Sequence, residues 1–154
     1  MKTSWFLKSV FVLLFFFFTH SALSQDLNTY QMIGKSMNYT ISKYGKPAHK
    51  DLSNKSMQCV FYKTKTYQTV FVANNEGVFQ CESSVCYDKK STASSNLASL
   101  INKCKNEGYQ VDTVNVAEYN LHGKGKRLNI SLFENTYSNK YEVKIKANKS
   151  VGMK

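Results

Sequence analysis

The chain has 154 residues and a formal net charge of +11, from 21 basic and 10 acidic residues. That length suits one domain, or two small repeats that share a core. The basic balance favours anionic partners, but a single arginine, Arg127, argues against nucleic acid, because phosphate and base readout leans on the bidentate guanidinium.

Met1 to Ser9 is a short basic start, Val10 to Phe18 an unbroken apolar run, and Thr19 to Ser24 a polar exit. Ala22 and Ser24 put small residues at the −3 and −1 positions of a cleavage site between Ser24 and Gln25. This is the pattern of a signal peptide, and the apolar run is far below the ~20 residues that span a bilayer. The expected domains are a signal at 1–24 and a mature part at 25–154, secreted or periplasmic, with no later membrane span and no lipid-anchor Cys. The mature part then carries 19 basic and 10 acidic residues, a net +9. All four cysteines lie in it. An exported chain with an even cysteine count suggests disulfides, so Cys59, Cys81, Cys86 and Cys104 are disulfide candidates, with Cys81–Cys86 and Cys59–Cys104 ranked slightly above the other pairings and buried free thiols as the alternative.

After a polar leader at 25–32, Ser36 can cap a helix over 36–44. Met37, Ile41 and Tyr44 form its apolar stripe, Gly45 can take the left-handed C′ position, and Pro47 blocks continuation. Strands follow at 59–64, 68–73 and 78–85, with turns at Lys65–Thr66 and Asn74–Gly77. If the hairpins turn at these positions, Cys59 faces Val72, Cys81 faces Val70, and the two cysteines share a sheet face but sit on non-adjacent strands, too far apart for a direct bond.

The pattern then repeats. Ser91 or Thr92 caps a second helix with Ala93, Leu97, Leu100, Ile101 and Cys104 on one face, ended by Gly108. Strands follow at 109–116, 127–133 and 141–147, the last two alternating apolar and polar, as a sheet with one buried face should. Segments 122–127 and 134–140 read as loops. The expected fold class is α+β: two helix–three-strand units, over 33–88 and 89–148, with antiparallel sheet and both helices on one sheet face.

The chemical motifs are weak. Gly34-Lys35-Ser36 mimics the end of a phosphate loop, but Thr29 stands where the loop needs Gly. The Cys81–Cys86 spacing fits no zinc or thioredoxin motif, and only His49 and His122 remain in the mature part, so no cofactor and no metal site is expected. A thiol nucleophile would need Cys59 or Cys81 beside one of these histidines; this small thiol-dependent enzyme is the alternative to a non-catalytic protein. Four sequons, at Asn38, Asn54, Asn129 and Asn148, would accept glycans only in a host with that machinery. Tyr62, Tyr67 and Phe71 fall on the sheet face opposite Phe61, Val70 and Val72. If that face is uncovered, they form an aromatic interaction surface.

The stretch from Ile33 to Pro47 fits Gly-x-Ser/Thr-x(4)-hydrophobic-x(3)-Gly-x-Pro. It is similar to the opening helix of the SmpA/OmlA (BamE-like) outer-membrane assembly lipoproteins and of the β-lactamase-inhibitor-protein-like fold. The chain departs from the lipoproteins in lacking their anchor Cys. The resemblance implies a helix packed on an antiparallel sheet, an envelope location and a non-catalytic module that binds another protein. The expected function is therefore a secreted or periplasmic binding or scaffolding protein with a protein partner in the cell envelope. A basic module for anionic lipid or glycolipid is a further alternative.

Overall fold

Alternation of apolar and polar residues along the strands decides the architecture. In the computed structural model, which describes residues 26–150, eight strands form one antiparallel sheet. They are β1 (His49–Asp51), β2 (Gln58–Lys63), β3 (Tyr67–Asn74), β4 (Gly77–Tyr87), β5 (Gln110–Asn115), β6 (Glu118–Gly123), β7 (Lys126–Asn135) and β8 (Lys140–Lys149). The spatial order is β1-β2-β3-β4-β8-β7-β6-β5. Helix α1 (Met37–Tyr44) precedes the first four strands and α2 (Lys90–Asn106) precedes the last four. The proposed signal at 1–24 lies outside the described residues.

Two helix–three-strand units are therefore not what forms. Each helix is followed by four strands, and β4 pairs with β8 to make the halves one sheet. The two additional strands were hidden for different reasons. His49–Asp51 is polar and wholly exposed, held only by pairing to β2. Glu118–Gly123 buries a single residue, Leu121, and so shows little alternation. The 122–127 segment is a tight reversal rather than a long loop. Lys124 (φ 51°) and Gly125 (φ 70°) are both left-handed, the geometry of a two-residue hairpin turn that suits sheet twist.

Pairing puts Val60, Tyr62, Tyr67, Phe71, Cys81, Val85, Val143, Ile145, Leu128, Ile130 and Leu121 on one face. All of these are buried. The leader, α1 and α2 cover that face. Residues Asn28–Met32 form a 3₁₀ turn that packs on β4 and β8 and buries Thr29, Tyr30 and Met32, so the leader is a core element and not merely a polar lead-in. Helix α1 starts where Ser36 Oγ accepts from the Tyr39 backbone N–H at 3.2 Å, and it ends at Gly45 with φ 78°. Tyr44 of this helix packs on Phe71 and Tyr62, with ring centroids 4.9 and 5.7 Å away. Helix α2 lays Ala93, Leu97, Leu100, Ile101 and Cys104 against the sheet. It begins one residue before Ser91: Lys89 occupies the N-cap position and makes no side-chain capping bond.

The start of β4 is tied down by the leader. Gly34 N–H donates to Val78 O, and Val78 N–H donates to Lys35 O, both at 2.8 Å. Gly77 has φ 114°, and a Cβ there would sit 2.7 Å from Lys35 O. Only glycine allows this approach.

Candidate functional site

Among the described residues, no helix lies over the opposite face of the sheet. That face presents Cys59 and Phe61 from β2, Val70 and Val72 from β3, and Gln80, Glu82, Ser84 and Cys86 from β4. Beyond these lie Lys144 and Lys146 from β8, Asn129 and Phe133 from β7, and Asn120 and His122 from β6. Phe61, Val70 and Val72 are half-buried by their strand neighbours and still reach solvent. A shallow depression of about 200 Å³ lies over β2–β4, lined by Phe61, Gln68, Val70, Glu82 and Ser84 among others. A second, of about 320 Å³, lies over β6–β7 at Asn120, His122 and Arg127.

Between the two runs a ridge of opposed charges. Lys144 Nζ sits 3.2 Å from a Glu82 carboxylate oxygen and 5.5 Å from the centre of the Phe133 ring. The Asn129 amide donates to Glu118 and to Asn120, each at 2.9 Å. His122 lies between Asp112, 3.4 Å from Nδ1, and Gln110, 2.6 Å from Nε2. The face thus combines a few apolar contacts with hydrogen-bonding groups already held in place, which is the composition of a docking surface rather than of a core.

The aromatic residues expected on the surface are elsewhere. Tyr62, Tyr67 and Phe71 are at most 2% exposed, beneath α1 and the leader. The separation into two sets on opposite faces is as expected, but the helices cover this set and leave Phe61, Val70 and Val72 open. Sequence alone did not settle the choice because both sets are apolar.

The cysteine pairings are also overturned: all four thiols are free. Cys59 faces Val72, as expected. Cys81, however, pairs with Phe71 and not with Val70. A bulge between Val72 and Ala73 shifts the register by one residue, and a one-residue slip sends a side chain to the other face. Cys81 therefore points into the core and Cys86 onto the open face. Five strand residues, or ~17 Å, separate them. Cys104 is buried under the sheet while Cys59 is on its far side, so neither preferred pair can reach bonding distance.

Burial pushes every thiol up from its ordinary pKa. Cys81 reaches about 12 through desolvation. Cys104 rises for the same reason, and Cys59 and Cys86 rise by desolvation and then by the nearby Asp51 and Glu142 carboxylates. Such groups are poor nucleophiles at neutral pH. His49 lies on β1 opposite Phe61, and the ring of His122 is taken by Asp112 and Gln110. Among the described residues, no group of three His, Cys, Asp or Glu is gathered as metal ligands would be, and no helix is long and apolar enough to cross a membrane.

No family model matches the chain, and no curated protein matches it. Two solved structures share part of its shape. One is an extracellular protein containing a SCP domain from Bacillus anthracis, at 11% identity and TM-score 0.47, covering 82% of this chain and 46% of that one. The other is a cysteine-rich secretory protein from Staphylococcus aureus, at 11% identity and TM-score 0.45, covering 77% and 45%. This chain thus spans less than half of either. The resemblance to SmpA/OmlA proteins and to the β-lactamase-inhibitor-protein-like fold is withdrawn: it rested on about fifteen residues around α1, and no family model supports it. The Ile33–Pro47 motif is accounted for locally, by a capped helix and its stop.

Proposed function

We propose that the chain is an exported, non-catalytic binding protein that holds a protein partner of the cell envelope on the open face of its sheet. The observation that carries this reading is the face that no described helix covers, with half-buried Phe61, Val70 and Val72 beside the Glu82–Lys144 and Asn129 contacts. A flat face with an apolar centre and a rim of pre-positioned polar groups suits a protein surface better than a small molecule, which usually takes a deeper enclosed pocket. Export is supported by the tripartite pattern at 1–24. The non-catalytic reading is supported by thiols held protonated by burial and by a His122 ring already engaged by Asp112 and Gln110.

The test compares the wild-type mature chain with the variants Val70→Glu and Phe61→Lys as bait for envelope extracts. One protein should be retained by wild type and lost with both variants, whose thermal unfolding should stay near that of wild type. Equal retention by all three would overturn the assignment of the face.

A further inference from the structure

Charge is not spread evenly around the sheet. The open face carries five acids, Asp51, Glu82, Asp112, Glu118 and Glu142, against five bases, Lys63, Arg127, Lys140, Lys144 and Lys146. Thirteen further bases and only five further acids between residues 26 and 150 lie off that face. The net positive charge therefore belongs to the helix layer, the loops and the strand ends. Helices α1 and α2 contain four lysines and no acid. Of the five acids, Glu76 is paired with Lys149 and Asp88 with Lys140, and Glu107 accepts from Tyr30 and Gln31.

Helix stability explains only part of this. Lys43, Lys103 and Lys105 stand in last turns, where the helix dipole favours a cation. Lys89 and Lys90 stand at the start of α2, where the dipole opposes one and where no side chain caps the helix. Lys35, Lys124 and Lys126 stand near one another at one end of the layer: Lys126 donates to Tyr30 O at 3.1 Å, and burial above all weakens its hold on its proton, against the opposing pull of Cys81 and Glu107 and with smaller help from Lys124 and Lys35. The arrangement is maintained against local cost.

We infer that the helix layer docks on an anionic phospholipid surface, leaving the open sheet face turned away from it. The spread of the charge favours a plane over a single polymer strand. Lys90 and Lys103 alone are ~20 Å apart along α2, and Lys43 and Lys46 extend the array to α1. The contact is one of lysine point charges; the one arginine is on the other face, so no bidentate phosphate recognition is built in. Exposed residues of α2 are otherwise Ser, Thr, Asn and Ala, so the helix lies on headgroups without inserting.

The experiment uses residues 25–154, which hold the whole sheet and both helices, with vesicles of phosphatidylcholine alone and of equimolar phosphatidylcholine and phosphatidylglycerol. Co-sedimentation should occur only with the anionic vesicles and should fade as ionic strength passes about 0.15 M, where the screening length is ~8 Å. Replacing Lys89, Lys90, Lys103 and Lys105 with Gln should lower partitioning about tenfold or more, whereas replacing Lys63, Arg127, Lys144 and Lys146 with Gln should leave it within about twofold. An equal loss in both variants, no association, or binding to soluble heparin without binding to vesicles would overturn the inference. None of these outcomes bears on the protein partner of the open face, which is tested separately.

Discussion

Cys81 faces Phe71 across β3 and β4, both buried in the core. One bulge produces that pairing and puts Cys81 on the sheet face opposite Cys59; Cys86, five residues along β4, is out of bonding reach of Cys81 whatever the register with β3. Denaturation in the presence of iodoacetamide, without reductant, should therefore give four alkylated cysteines by mass spectrometry. In the native state Cys59 and Cys86 should react slowly at pH 7 and faster as pH rises, and Cys81 and Cys104 should stay protected. Recovery of two or no free thiols would contradict the placement.

The same burial predicts alkaline lability. The Cys81 thiol goes from an ordinary 9.0 to about 12, and Tyr67 and Tyr109 go from 10.0 to about 12. Each is an acid whose folded pKa is raised, so the stability it contributes is complete below its unfolded pKa and is lost as pH climbs through the folded value. Stability should fall steeply between pH 9 and 12. Cys81→Ala should remove one proton from that dependence, or ~1.4 kcal/mol per pH unit, measured by urea unfolding at several pH values. An unchanged slope would place the ionisation elsewhere.

Two core tyrosines should answer differently to loss of their hydroxyl. Tyr62 OH donates to Gly45 O at 3.1 Å and holds the end of α1 to the sheet. Among the described residues, Tyr67 OH is buried without a hydrogen bond of good geometry, while the nearby Thr69 and Ser83 hydroxyls donate to Glu82 O and to Thr29. Tyr62→Phe should cost about 1 kcal/mol, and Tyr67→Phe should be neutral or stabilising by a similar amount. Denaturant midpoints compare the pair directly.

Gly77→Ala should destabilise by about 1–3 kcal/mol, because the new Cβ meets Lys35 O in a backbone-to-backbone contact that cannot yield cheaply. Gly125→Ala, at a turn with open space around it, suffers only the strain of its positive φ. Thermal unfolding should rank Gly77→Ala as the more damaging.

What was legible in the sequence was local chemistry. Ser36, Gly45 and Pro47 delimit α1 because caps and breakers act within a few residues. Alternation in β7 and β8 reads directly as a buried face. Non-local choices were not legible. The bulge at Val72/Ala73 has no strong residue signal, yet it reverses Cys81. His49–Asp51 becomes a strand only because β2 offers it an edge. The surface assigned to Tyr62, Tyr67 and Phe71 went to the other set of the same strands, since which face the helices cover is decided by packing across the whole chain. Phe61, Val70 and Val72 could be found only as the complement of that choice.

The central claim is that the open sheet face is the working surface. A photoreactive amino acid placed singly at Val70, Gln80 or Ser131 on that face, and at Ser95 or Asn102 on α2, tests it in the native envelope. The account predicts a crosslink to one and the same protein from the three sheet positions and to none from α2. Protein crosslinks from α2 alone, or from no position on the sheet, would contradict it.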